Sequence, residues 1–325
     1  MSEFSWIASL REALGGGLVS PAGIGDDGAV LGVGSRVVVA DMMVEGVHFD
    51  LAWSRVEDVA WKLYASNASD VLAMGARPDA WLLTLALPSD GRADDVASWI
   101  RGLGGARSAW GGGALIGGDT TRTRGGLVAS LTMFGTLERP AWTRDRFLPG
   151  QRLWVDGVLG FAAAGLDRLR REGPVEGCAF VAQHRRPAAP AGVGDALSTE
   201  VTGAIDVSDG LVADLTHAAQ ASGVRLVLER PLPGAQELLA YARGLAGDDA
   251  PALVDSWQLA GGDDYIRVAS SRGCPGRGWV EIGRVCEGPA GVVDARQGDA
   301  RPLTNPGYDH MREPAPAAVD GTGRR

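Results

Sequence analysis

The sequence predicts an α/β (α+β) protein of two domains that face each other across a cleft, and three observations lead there. Its 325 residues exceed the ~150 of an average domain. Short apolar runs rich in β-branched residues alternate with longer stretches of helical period in both halves of the chain. Carboxylates flanked by glycines or small residues stand at the ends of such runs at Asp26-Asp27, Asp41, Asp119, Asp206 with Asp209, and Asp263-Asp264. Open α/β sheets bind ligands just past their strand ends, so this recurrence points to one shared site.

In chain order, residues 4–14 have a helical pattern that Gly15-Gly16-Gly17 ends. The segment 23–30, Gly-Ile-Gly-Asp-Asp-Gly-Ala-Val, reads as a turn that brings two carboxylates close to a ligand, although plain turn chemistry would produce the same residues. Residues 37–40 form a buried strand and leave Asp41 just past its end. Residues 56–75 predict a long helix stopped by Gly75 and Pro78, with Asn67, Asp70 and Met74 on one face. A strand over 81–87 and a helix over 94–110 follow, and then a short buried strand over 114–116 leads through Gly117-Gly118 to Asp119. Residues 127–137 supply another strand, and 139–150, with Pro140 and Pro149, read as a linker. The second half has a strand over 153–155 and a helix over 161–171. A strand end at 204–207 gives way to a helix that Ser208 or Asp209 would cap. The organisation expected is a first domain over 1–138, the linker, a second domain over 151–311 and a disordered tail over 312–325.

Composition excludes several functions. A net charge of −9 without a basic stripe speaks against nucleic acid. No apolar run approaches the ~20 residues a membrane span needs, and the basic start of a signal peptide is absent. The three cysteines lack metal spacing, which fits a reduced, cytoplasmic protein. With four histidines and no short His/Cys spacing, a zinc site is not expected. Neither a P-loop nor a dinucleotide-binding glycine fingerprint occurs. Carboxylates at several strand ends with hardly a candidate nucleophile fit a different chemistry. Mg²⁺ is held by one or two carboxylates together with waters and substrate phosphates, so a dispersed Asp set suits a phosphate site with several ions.

The segments 23–30, 41–49, 67–78, 115–122, 204–217 and 261–265, in this order, resemble the successive motifs of the thiamine-monophosphate kinase family, within the aminoimidazole ribonucleotide synthetase superfamily. The resemblance extends from about residue 4 to His310. It implies ATP-dependent phosphorylation of thiamine monophosphate to thiamine diphosphate, in thiamine biosynthesis, by a homodimer that pairs through its first domain. It further implies Asp27, Asp41, Asp70, Asp119, Asp206 and Asp209 as Mg²⁺ ligands. Gly118, Asp119, Arg144 and Ser208 would bind ATP, and His48, Asp263 and Tyr308 would bind the acceptor. No covalent intermediate is expected. This chain departs from the family pattern at Val39 and Ala40, where hydroxyl residues are usual, at Asp263 in place of Glu, and at Ile266 in place of an acidic residue. Two alternatives stay open: a relative that binds nucleotide or thiamine phosphate with little turnover, motivated by the losses at 39, 40 and 266, or another ATP-dependent synthetase of the superfamily. Lys62, the chain's only lysine, has no role that the sequence settles, and His184 and His217 read as ordinary helix residues.

Overall fold

The computed structural model describes residues 27–31, 36–193 and 198–304. The expectations for a helix over 4–14, for Asp26, for the tail and for Tyr308 lie outside these residues. The first half contains β1 (Ala29–Leu31), β2 (Arg36–Val44), α1 (Val56–Ala73), β3 (Arg77–Pro88), α2 (Val96–Ala109), β4 (Ala114–Thr123) and β5 (Val128–Thr136). Its five strands form one sheet in the order β1-β2-β5-β3-β4. Only β3 and β4 run parallel, and α2 is their crossover, as a parallel pair requires. The second half contains β6 (Arg152–Val155), α3 (Phe161–Glu172), α4 (Ala179–Arg185), β7 (Gly203–Asp206), α5 (Leu211–Ser222) and β8 (Arg225–Leu228). It continues through α6 (Ala235–Ala246), α7 (Ala250–Ala260), β9 (Arg267–Ser271), β10 (Val280–Cys286), β11 (Gly291–Asp294) and β12 (Arg301–Leu303). A mixed sheet of seven strands results, ordered β12-β11-β8-β10-β6-β9-β7.

The α/β class is therefore correct, while several boundaries move for physical reasons. Strand β2 does not stop at residue 40. Its alternation continues, so that Val37, Val39 and Met43 are buried and Asp41 lies on their face instead of beyond the strand. Strand β3 begins at Arg77, so Pro78, which ends the preceding helix, lies in the first turn of pleat. Strand β4 is neither short nor buried: it runs for ten residues, nearly all exposed, because only β3 flanks it. Asp119 is thus inside an exposed edge strand. Helix α5 is not capped by Ser208 or Asp209. Gly210 holds the N-cap, and Asp214 of the first turn accepts from the N–H groups of Ser208, Asp209 and Gly210 at 3.1, 3.2 and 3.1 Å.

Helix α1 is the element both halves share. It packs on β2, β3 and β5 of the first sheet and also touches β7, β9 and α4 of the second half. Burial on nearly every side explains its composition: small Ala60, Ala65, Ala68 and Ala73 permit close approach, while Leu63, Tyr64 and Val71 fill the first core with Leu131 and Met133. A second core lies between the other sheet and α5. No helix among the described residues is long and apolar enough to cross a membrane.

Candidate active site

Two polar groupings line the seam between the halves, and both use α1. The first consists of Asp27 before β1, Asp70 in the last turns of α1 and Asp206 at the end of β7. One carboxylate oxygen from each lies within 4.8 Å of the others. Ser69 Oγ donates to Asp206 Oδ2 at 2.9 Å, and Arg144, from the connection between the sheets, pairs with Asp27. Burial, reinforced by the neighbouring Asp41, Asp206 and Asp27, pushes the Asp70 carboxyl well above its ordinary value. Burial and the Asp27 charge do the same to Asp206. Asp27 is raised by burial against the pull of Arg144, and Asp41 by burial against the Ser66 hydroxyl. Like charges held this close, with one guanidinium beside them, form an incomplete electrostatic set. A hard divalent cation, which takes oxygen ligands from carboxylates, fits these donors.

The other expected ligands are arranged differently. Asp41 stands beside the group, its backbone N–H donating to Asn67 Oδ1 of α1 at 3.1 Å. Asp209 lies half-buried just past β7, outside the close three-carboxylate set. Asp119 is remote within one chain. The cross-strand row Met42, Ser130, Thr84, Asp119 places it three strands from β2, roughly 14 Å at ~4.8 Å per strand. Gly118, φ +154°, is required by crowding, since a Cβ there would lie 1.8 Å from the Leu83 carbonyl oxygen.

The second grouping surrounds Asp263. The turn that carries it is tied to the β7 end, with Asp263 N–H donating to Ser208 O at 2.9 Å and Tyr265 N–H to Val207 O at 2.9 Å. Gly262 allows this, because a Cβ there would meet Ser208 O at 2.2 Å. Asp263 and Tyr265 adopt φ of +64° and +50°, a left-handed backbone that costs a non-glycine residue about 1–3 kcal/mol and persists only where the surroundings enforce it. Lys62 Nζ donates to Asp263 Oδ2 at 2.7 Å and to His48 O at 3.4 Å, and Tyr265 OH donates to Asp263 Oδ1 at 3.0 Å. His184 Nδ1 lies 3.6 Å from Asp263 Oδ2. Burial and then the Lys62 charge push His184 down to about 3, so the imidazole is neutral at pH 7. Burial alone would raise Asp263, but the Lys62 ammonium outweighs it and keeps the carboxyl below its usual value. A recess opens here, lined by His48, Phe49, Ser54, Lys62, His184 and Arg185.

Sequence reasoning assigns His48 and Asp263 to one pocket; His48 lines this recess, and Asp263 stands beside it, held by Lys62. Lys62 and His184 were missed as members of it. Lys62 offered a signal in being the only lysine, whereas His184 offered none, because its partner is 79 positions away in the chain (263 − 184).

The site and fold together define a class: a mixed α/β enzyme with an acidic seam, whose first half, residues 25–137, matches the family described as AIR synthase related protein, N-terminal domain. The thiamine-monophosphate kinase of Mycobacterium tuberculosis H37Rv is 39% identical over 277 residues, covering 83% of this chain and 81% of that protein. That of Corynebacterium glutamicum is 34% identical over 300 residues, covering 88% and 86%. Among solved structures, AaThiL complexed with AMPPCP and TMP is similar with a TM-score of 0.81 at 30% identity, covering 95% of this chain and 97% of that one. The chain belongs to the thiamine-monophosphate kinase family, and as a member it is a kinase.

Proposed function

We propose that this chain transfers the γ-phosphoryl group of ATP to thiamine monophosphate in one in-line step, giving thiamine diphosphate and ADP. The observation that carries this reading is the Asp27–Asp70–Asp206 group, placed roughly 12 Å along α1 from Lys62 in the recess (70 − 62 = 8 residues) at ~1.5 Å per residue. One helix thereby spaces a phosphate end and a ring end. In the reaction an acceptor phosphate oxygen forms a bond to Pγ while the bond from Pγ to the bridging oxygen of ADP breaks. With a second pKa near ~6 the acceptor is already largely a dianion, so no general base is required. Magnesium ions held by Asp27, Asp70 and Asp206, with Asp41 and Asp209 beside them, would supply the charge neutralisation that lets two polyanions approach. Arg144, Gly118 and Ser208 bind the nucleotide in this reading, while His48, Asp263 and Tyr308 line the acceptor pocket.

The departures at Val39 and Ile266 fall on core residues, 4% and 2% exposed, so they alter the packing around the site while the Asp27–Asp70–Asp206 group stays in place. The domain division stays at 1–138, 139–150, 151–311 and 312–325, and the protein is a cytoplasmic homodimer. The dimer is supported by β4, whose exposed Leu115 and Ile116 leave an open apolar edge. Pairing two copies there also offers Asp119 a carboxylate site in the partner, since its own lies across the sheet.

The test is a product assay with ATP, Mg²⁺ and thiamine monophosphate, using a chiral γ-thiophosphate to follow the stereochemistry. Thiamine diphosphate with inversion at phosphorus is expected. Retention would establish a covalent intermediate, and absence of product would overturn the kinase reading.

A further inference from the structure

We propose that the acceptor recess is built as a cross-domain lock in which Lys62 positions Asp263 and His184 Nδ1 is the protein atom that hydrogen-bonds the ring of the acceptor. The inference deepens the kinase reading and rests on it. Lys62 comes from the helix of the first half, Asp263 and His184 from the second, so the recess is complete only when the halves are docked. An ammonium that is 3% exposed is tolerated because a carboxylate oxygen lies 2.7 Å away. Lysine suits the place, since a point charge on an unbranched stem reaches where a planar fork would not. Both Asp263 oxygens are engaged, Oδ2 by Lys62 and Oδ1 by Tyr265 OH, which fixes the carboxylate in a left-handed turn.

His184 is 4% exposed, lines the same recess, and its Nδ1 has no hydrogen-bond partner. Buried polar atoms are nearly always paired, so this enclosed nitrogen, with Asp263 Oδ2 too far at 3.6 Å to complete a hydrogen bond, marks where a ligand atom belongs. Each charge on the lining is paired, Lys62 with Asp263, Asp58 with Arg186 and Arg185 with Glu176, and His184 carries no charge at pH 7. Such a lining selects an uncharged nitrogen heterocycle that offers hydrogen bonds, in preference to a cationic ring that wants an unpaired carboxylate.

Steady-state kinetics and calorimetric titration of thiamine monophosphate without ATP test this on the full chain. His184→Phe should raise the acceptor KM and Kd at least tenfold, with the KM for ATP and the kcat changed less than threefold, and His184→Gln should recover most of the loss. Lys62→Met should raise the acceptor KM similarly but add nothing in an Asp263→Asn background. Should Lys62→Met fail to fold, Lys62→Arg, which keeps the charge but not the shape, should still raise the acceptor KM at least threefold. An unchanged acceptor KM in His184→Phe overturns the inference. So does an equal rise for both substrates with a lower Tm, or independent multiplication of the Lys62 and Asp263 effects. Failure of the wild type to bind or phosphorylate thiamine monophosphate would instead sink the kinase reading and the inference with it.

Discussion

At the scale of single residues, the carboxylate group and the recess respond oppositely to substitution. Asp70→Asn removes one charge from a set raised by burial and mutual repulsion. It should cut turnover at least ~100-fold through lost charge positioning, yet raise the Tm of the metal-free protein. Millimolar Mg²⁺ should raise the wild-type Tm and have less effect on the variant. Full turnover in EDTA would contradict the metal role. His184 gives a pH signature of definite sign. Its folded value, about 3, is below the ~6.5 of the unfolded chain, so the unfolded state binds the proton first. The stability associated with the neutral imidazole is complete above about pH 6.5 and declines as pH falls toward 3. Thermal denaturation from pH 7 to 5 should therefore lower the Tm more in the wild type than in His184→Gln.

At the scale of elements, the sequence showed where helices and strands are more clearly than how they are covered. The helix over α1 was legible because eighteen residues without proline or glycine are bounded by Gly75. That its polar residues Lys62, Ser69 and Asp70 face a second domain was not legible, since no local pattern distinguishes a face turned to water from one turned to a distant segment. The same ambiguity misplaced β4, whose apolar Leu115 and Ile116 suggest a core strand but lie on an exposed edge. Asp41 was assigned to a strand end because Val-Val-Val-Ala looks complete, while the alternation that continues to Met43 is interrupted by the carboxylate itself. The turn at Gly262 yields a prediction of its own. Gly262→Ala must push a Cβ away from Ser208 O, 2.2 Å distant, so it should lower Tm by several degrees and raise the acceptor KM more than that of ATP. An unchanged Tm would show that the two turns can separate at no cost.

At the scale of the whole molecule, the seam along α1 joins the two halves, and the exposed edge strand β4 is the face proposed for pairing. Light scattering should give about twice the 33.7 kDa chain mass, and Ile116→Arg should shift it toward one chain. A wild-type monomer at micromolar concentration would remove the dimer from the reading. The seam has a consequence for the history of each molecule. Lys62 and Asp263 are 201 residues apart, and a ribosome adding roughly 5–20 residues per second needs about 10–40 s to supply the second after the first. Throughout that interval α1 can settle on its own sheet, but its buried lysine has no counter-charge and its other flank remains wet. A nascent first half is therefore a waiting structure, exposed to chaperones and proteases until synthesis reaches the 263 turn. Expressed alone, residues 1–150 should unfold without a sharp transition and bind a hydrophobic dye, whereas the whole chain should do neither.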